Sequence, residues 1–205
     1  MKVGVLASGE GTNLQALLDT VHGRDVEIVA VASDQPSARA LDRARAAGIP
    51  TRVFLRSEFV ERATRDAAIA DWLADQGVEL VVLAGYMAIL DAAFVARFPD
   101  RIINVHPSLL PAFPGLRAVE QALDYGVGVF GVTVHLVDEG VDTGPIILQR
   151  ALELAGARTA GEVHDRLRPL EHELQPRAVA LVAAGRVQRD PDHPRRVLIA
   201  TPGAG

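Results

Sequence analysis

The chain of 205 residues has no cysteine. That excludes disulfide frameworks, thiolate metal sites and a cysteine nucleophile. Lysine is nearly missing as well: Lys2 stands alone among 21 basic residues. A Schiff-base lysine and the lysine of a nucleotide-binding phosphate loop are therefore not expected. The sequence holds no run of about 18 apolar residues, so no membrane-spanning helix is expected. Met1-Lys2 leads into a short strand with no signal-peptide pattern, and the expectation is a cytoplasmic protein. The formal net charge of −5 argues against a broad electrostatic footprint for nucleic acid or an anionic membrane, although it leaves room for a small basic pocket. Repeats and low-complexity segments are absent.

What is present is ordinary globular composition, 49% hydrophobic and 23% charged, with enough length for one sizeable core. Apolar runs alternate with helical spacing through the first half. Strands are predicted at 2–7, 27–33, 51–54, 79–84 and 101–105, and helices at 13–21, 37–47, 59–76 and 92–97. Continuous apolar strands separated by helices imply a parallel sheet covered on both faces, in a doubly wound, Rossmann-like α/β arrangement. After residue 106 the pattern changes. A proline-rich loop and a helix at 118–125 lead to strands at 131–137 and 146–151, expected to pair antiparallel. A helix over 159–184 is expected to be interrupted at Pro169 and at Pro176. The tail from Pro191 is expected to be loose beyond one strand near 196–200. The expected organisation is a single domain over 1–185 followed by a C-terminal tail, 186–205.

Three groups of residues stand out. Ser8-Gly9-Glu10-Gly11-Thr12-Asn13 links the first strand to the first helix, where loop amides and a helix N-terminus suit an anion. Leu14 breaks the dinucleotide fingerprint, so a single phosphate fits better than a pyrophosphate. Asn104 and His106 lie two apart at the end of a buried strand and share a face. That placement makes sense only if both have partners. Asp138, Glu139 and Asp142 crowd a later loop, and only Asp142 is followed by a rigid Thr-Gly-Pro turn. Asp142 beside His106 would orient the ring and keep it charged. The plainer reading of Asp138 and Glu139 is a solvated loop. Glu171-His172-Glu173 cannot be a zincin motif, because Pro176 stands where its second histidine belongs. Glu171 either reaches into a site or faces solvent. His22, His164 and His193 read as surface residues and His135 as one on a strand face, all without a partner pattern.

These motifs resemble the folate-dependent glycinamide ribonucleotide formyltransferase family over about residues 1–185. Three stretches carry the resemblance: Leu6-Ala-Ser-Gly-Glu-Gly-Thr-Asn-Leu-Gln15, Asn104-Val-His-Pro-Ser-Leu-Leu-Pro111, and the run from Gly131 to Gly144. The last two are shared with other formyltetrahydrofolate enzymes, while the first selects the purine enzyme. The resemblance implies the formyltransferase fold, a mostly parallel sheet with an antiparallel C-terminal addition. It implies 10-formyltetrahydrofolate as formyl donor and no metal. Asn104, His106 and Asp142 would be catalytic. Gly11, Thr12 and Asn13 would hold the ribonucleotide phosphate, with Arg168, Pro169, Leu170 and Glu171 nearer its ribose. Met87, Ala88, Ile89 and Leu90 would line the folate head group, together with Asn104 and the Asp138, Glu139, Gly140, Val141 and Asp142 loop. Arg62 matches a position near the folate tail. The implied partners are small molecules, without nucleic acid or membrane, and the implied state is a monomer or homodimer. Ala88, Ala112, Arg117 and Val119 depart from the family pattern.

Several alternatives share these features. A formyltetrahydrofolate hydrolase would not need the phosphate loop. A formyltransferase acting on an aminoacyl-tRNA would normally carry an RNA-binding domain for which the tail is too short. A non-catalytic nucleotide-binding regulator would leave the polar strand ends unexplained. A nicotinamide oxidoreductase is weaker still, for want of the dinucleotide fingerprint.

Overall fold

The computed structural model describes residues 1–201. It divides into two compact units, Met1–Asn104 and Val105–Gly205.

The first unit is α/β. Strands β1 (Lys2–Leu6), β2 (Glu27–Ser33), β3 (Thr51–Val53), β4 (Leu80–Leu83) and β5 (Ile102–His106, which runs on into the second unit) are ordered β3-β2-β1-β4-β5. Every ladder among them is parallel. Their side chains are apolar on both faces, and Val3, Val5, Leu6, Val31, Leu80, Val81, Val82, Ile102 and Ile103 are all buried. Parallel strands need crossovers, and helices α1 (Thr12–Thr20), α2 (Arg39–Ala46), α3 (Arg62–Asp75) and α4 (Ala92–Arg97) supply them. Each buries one stripe, such as Ala40, Leu41 and Ala44 on α2. The order reverses between the adjacent strands β1 and β4. That is the switch point at which open α/β sheets bind ligands, and the loops after both strands open there.

In the second unit, helix α5 (Ala118–Tyr125) precedes β6 (Val129–Leu136) and β7 (Ile146–Glu153). These two strands pair antiparallel as expected, with a register shift between Val134 and His135. The chain is thus mostly parallel α/β with an antiparallel addition.

Two expectations fail here. Helix α6 (Ala160–Ala183) runs unbroken for 24 residues with Pro169 and Pro176 inside it. Each proline deletes a helical hydrogen bond, at a cost of about 3 kcal/mol. Nine buried residues, among them Val163, Leu167, Leu174, Val179 and Val182, offset that loss at roughly 1.5–3 kcal/mol for each large apolar side chain. Thr159 caps the start by accepting the Glu162 N–H at 3.2 Å. The tail is more ordered than expected: β8 (Val187–Arg189) pairs antiparallel with β9 (Val197–Ile199). Strand β8 is too short to show a period in the sequence. Residues 202–205 of the expected loose tail lie outside the described residues.

Candidate active site

In the second unit a carboxylate lies between two imidazoles. His106 closes β5 and is buried, with 5% exposure. Its Nδ1 is 3.3 Å from Asp142 Oδ2, and its Nε2 donates to the Phe113 carbonyl at 2.9 Å. On the other side His135, from β6, has Nε2 3.4 Å from Asp142 Oδ1 and Nδ1 donating to the Leu136 carbonyl at 2.8 Å. The Gly115 N–H donates to Asp142 Oδ2 at 2.8 Å. Each ring therefore meets an acceptor at both nitrogens, an arrangement that suits the imidazolium form. Burial pushes the Asp142 carboxyl up. The hydrogen bond from His135, the charge of His106 and the Gly115 N–H outweigh it and hold the group at about 2. The cluster can hold each imidazole in one orientation, with a ring nitrogen directed at Asp142.

Local sequence explains how Asp142 gets there. Its φ of 53° is left-handed, which an Asp tolerates better than most residues. Asp138 organises the turn, with Oδ1 accepting the Gly140 N–H at 3.1 Å and the Thr143 hydroxyl at 2.6 Å. Gly144 is required, because a Cβ there would lie 1.8 Å from the Leu136 carbonyl oxygen. The proline-rich loop is tied from beneath. Buried Thr133 donates its hydroxyl to the Ser108 carbonyl at 2.7 Å and accepts the Leu110 N–H at 3.1 Å. Gln149 Nε2 donates to both the Leu110 carbonyl and Thr133 Oγ1 at 2.8 Å.

The first unit holds two loops at its switch point. Gly11 has φ 71°, and a Cβ on it would sit 2.6 Å from Ala40 Cα, so the loop after β1 can lie against α2 only with glycine there. No side chain caps α1, which leaves its first turn to other acceptors. Asn13 is buried and Thr12 half-buried. The loop after β4 exposes Met87 by 64% and Ile89 by 54%, with Ala88 and Leu90 half-buried.

The remaining predicted residues stand on several elements. Arg62 opens α3 and lies 3.9 Å from Asp91. On α6, Arg168 is exposed and pairs with Asp165 at 3.1 Å, Pro169 is exposed, and Leu170 and Glu171 are half-buried. Their neighbour His172 has a buried Nε2 without a partner, and burial pushes its imidazole down. Glu139, Gly140 and Val141 are exposed, whereas Asp138 is half-buried and bonded within its own turn. Asn104 is half-buried and sits on the same face of β5 as His106. Among the departures, Val119 is a core residue of α5, Arg117 is the exposed residue before that helix, and Ala112 accepts the Ser108 hydroxyl through its carbonyl at 2.6 Å.

His135 was missed as a partner of Asp142. The signal was available: Thr133 and His135 are two polar residues on one face of a buried strand, the same pattern that marked Asn104 and His106. His22 is also not a plain surface residue, because its Nδ1 accepts the Ile28 N–H at 3.1 Å. Among the described residues no group of three His, Asp or Glu side chains is arranged to hold a metal ion. No helix among them is long and apolar enough to cross a membrane.

Residues 1–179 match the family model described as formyl transferase. The chain belongs to the formyl transferase family. A phosphoribosylglycinamide formyltransferase of Haemophilus influenzae is 41% identical over 189 residues, covering 91% of this chain and 89% of the relative. The crystal structure of glycinamide ribonucleotide transformylase 1 from Symbiobacterium toebii matches with a TM-score of 0.92 at 44% identity, over 98% of this chain and 94% of that one. Family members also occur inside larger proteins. The chain is 44% identical over 189 residues to a trifunctional purine biosynthetic protein of Bos taurus, and spans only 19% of its length.

Proposed function

We propose that this formyl transferase moves the formyl group of 10-formyltetrahydrofolate to the primary amine of 5'-phosphoribosylglycinamide, giving the formylated amide and tetrahydrofolate, in purine biosynthesis. The observation that carries the reading is the Asp142 carboxylate held between His106 and His135. The names of the near-full-length relatives support the acceptor.

The two substrates make different demands, and the loops suit them. A phosphate needs main-chain donors at a helix start, which Gly11, Thr12 and Asn13 offer. The ribose would lie nearer Arg168–Glu171. A flat bicyclic donor needs an apolar surface beside main-chain polar groups. Met87 and Ile89 supply the surface, and Ala88 contributes main chain alone. The Asp138–Asp142 turn and Arg62 are assigned to the same donor, at its ring and its tail.

The amine nitrogen attacks the formyl carbon, and negative charge gathers on the formyl oxygen. The Asn104 amide N–H and the His106 ring donate to that oxygen. His106 Nε2–H, now given to the Phe113 carbonyl, is the donor the oxygen would take over. Asp142 holds the charged ring in place, and His135 fixes Asp142 from its other oxygen. His106 gives its Nε2 proton to the departing donor nitrogen and, once neutral, takes up the proton lost by the attacking amine. The amine is itself a competent nucleophile, so no covalent intermediate with the protein forms. Holding two substrates in line supplies much of the acceleration. The reading carries with it a cytoplasmic protein acting on small molecules, as monomer or homodimer.

The test is to follow products with and without the ribonucleotide. Formylated ribonucleotide, with little formate when the acceptor is omitted, is the expected result. Formate release independent of the acceptor would identify a hydrolase instead.

A further inference from the structure

The loop after β4 is held at both ends by side chains that the reaction does not use. At its start Ser8 Oγ accepts the Met87 N–H at 2.9 Å and donates its own proton to Asp34 Oδ1 at 2.6 Å. The Ser8 N–H also donates to the Gly85 carbonyl at 3.1 Å. At the far end Asp66 Oδ2 accepts the Asp91 N–H at 2.7 Å, while the Arg65 guanidinium gives Asp66 Oδ1 two bonds of 2.9 and 2.7 Å. Asp34, Arg65 and Asp66 are 5%, 2% and 0% exposed. Burying charge costs several kcal/mol unless it is paired and bonded, and here the bonding reaches the main chain of one loop. The Tyr86 hydroxyl, buried and without a hydrogen-bond partner, is no substitute anchor.

Ser8 belongs to a second loop as well. It begins the turn over Gly11–Asn13, which is itself fixed to α2 by the Ala40 N–H on the Gly9 carbonyl at 3.1 Å and by Arg43 Nε on the Glu10 carbonyl at 2.9 Å. A hydroxyl has one proton to give. With that proton committed to Asp34, the oxygen lone pairs are left for Met87, so Asp34 sets which way the rotor points. One side chain thus joins the loop assigned to the acceptor's phosphate to the loop assigned to the donor.

We propose that Ser8, oriented by Asp34, is a positioning residue that registers the donor loop on the phosphate loop, so that filling one preorganises the other. The proposal rests on the assignment of Gly11–Asn13 to the ribonucleotide and of Met87–Leu90 to the folate. Ordering a loop costs about 1–2 kcal/mol per residue in backbone entropy. A ligand that orders the phosphate loop also steadies the donor loop through Ser8, and so spares the second ligand part of that cost. Loss of the fixing bond should therefore appear as weaker binding rather than slower chemistry.

The experiment measures binding of a non-reactive folate analogue, with and without saturating ribonucleotide, alongside steady-state kinetics. In the wild type the ribonucleotide should tighten the analogue, and by reciprocity the analogue should tighten the ribonucleotide. Ser8→Ala should weaken the analogue about fivefold, the scale of one lost hydrogen bond, and abolish that mutual gain with kcat within about twofold. Amide exchange at Met87 should accelerate, and Ser8→Thr, which keeps the hydroxyl, should restore affinity and coupling. Asp34→Asn, nearly the same shape, should move every readout in the same direction by less. Wild-type affinity and coupling in Ser8→Ala, or a lower melting temperature with unchanged affinities, would overturn the proposal. Ile89→Ala distinguishes the two possible failures. Normal analogue binding in that variant overturns the donor-loop assignment and the proposal with it. Weak binding there beside normal binding in Ser8→Ala overturns the proposal alone.

Discussion

Two polar clusters, one in each unit, are used differently. In the first unit Ser8, Asp34, Arg65 and Asp66 end their bonding on main-chain N–H groups of one loop. In the second, His106, His135 and Asp142 turn chiefly on one another, and the main-chain groups serve only as their second partners. A hydrogen bond to main chain fixes shape and does not change with protonation near neutrality. A carboxylate between two imidazoles keeps a titratable group within reach of a reacting atom. Under the proposed function, the first set shapes a loop assigned to substrate and the second moves charge.

The largest effects should come from breaking the charged cluster. His106→Ala and Asp142→Asn should each lower kcat by about 10²–10³, the usual range for removing one such donor or its support. Asparagine is chosen at 142 because it tolerates the left-handed backbone. Ribonucleotide affinity, measured by titration, should stay within a few-fold, since its phosphate is assigned to another loop. His135→Gln should fall between these variants and the wild type. Its more telling effect is on pH: Asp142 loses the hydrogen bond that does most to hold it down, so the acid limb of the kcat profile should move to higher pH.

The converse experiment breaks a loop and spares the cluster. Gly11→Ala places a methyl against the α2 backbone in a left-handed conformation, and should raise the ribonucleotide KM tenfold or more, the effect of roughly 1.4 kcal/mol lost from binding. Proton-transfer pH dependence should be unchanged. A shifted profile in this variant would erase the distinction between the two regions.

Stability against acid sharpens the same contrast. The Asp142 carboxyl lies at about 2 in the folded protein against an ordinary value of 3.8. Its stabilising contribution is therefore complete above about pH 4 and is lost as pH falls through about 2. The wild type should lose about 2 kcal/mol relative to Asp142→Asn across that window, measured by denaturant unfolding at each pH. The smallest effect belongs to Tyr86→Phe. Removing a buried hydroxyl without a partner should change unfolding free energy by less than about 1 kcal/mol, in the stabilising direction or not at all.

Much of the first unit was legible in the sequence. The strand at Glu27–Ser33 and the helix at Ala92–Arg97 fall where their patterns place them, because buried parallel strands and their helices write continuous or periodic apolar runs. The candidate cluster was legible in part. Asn104 and His106 stood out as polar residues in an apolar strand, and Asp142 through its rigid Thr-Gly-Pro turn. His135 carried the same signature and was passed over, since alternation shows that a face is polar without naming what it meets. The prolines of α6 misled because a local rule counts the lost hydrogen bond and not the apolar face that the whole helix buries.

Local rules of period, turn chemistry and residue type were enough to determine the mostly parallel α/β class, the glycine turn after β1 and the chemistry open to a chain without cysteine. Motifs along the chain then pointed to formyl transfer. Only the tertiary structure decided that Asp142 is shared by two histidines, that Asp138 serves its own turn, and that Ser8 and Asp34 hold a loop far along the chain. Each of those depends on groups distant in sequence meeting at hydrogen-bond distance. Such meetings are set by ladder register and by the packing of whole elements, which no short window of residues encodes.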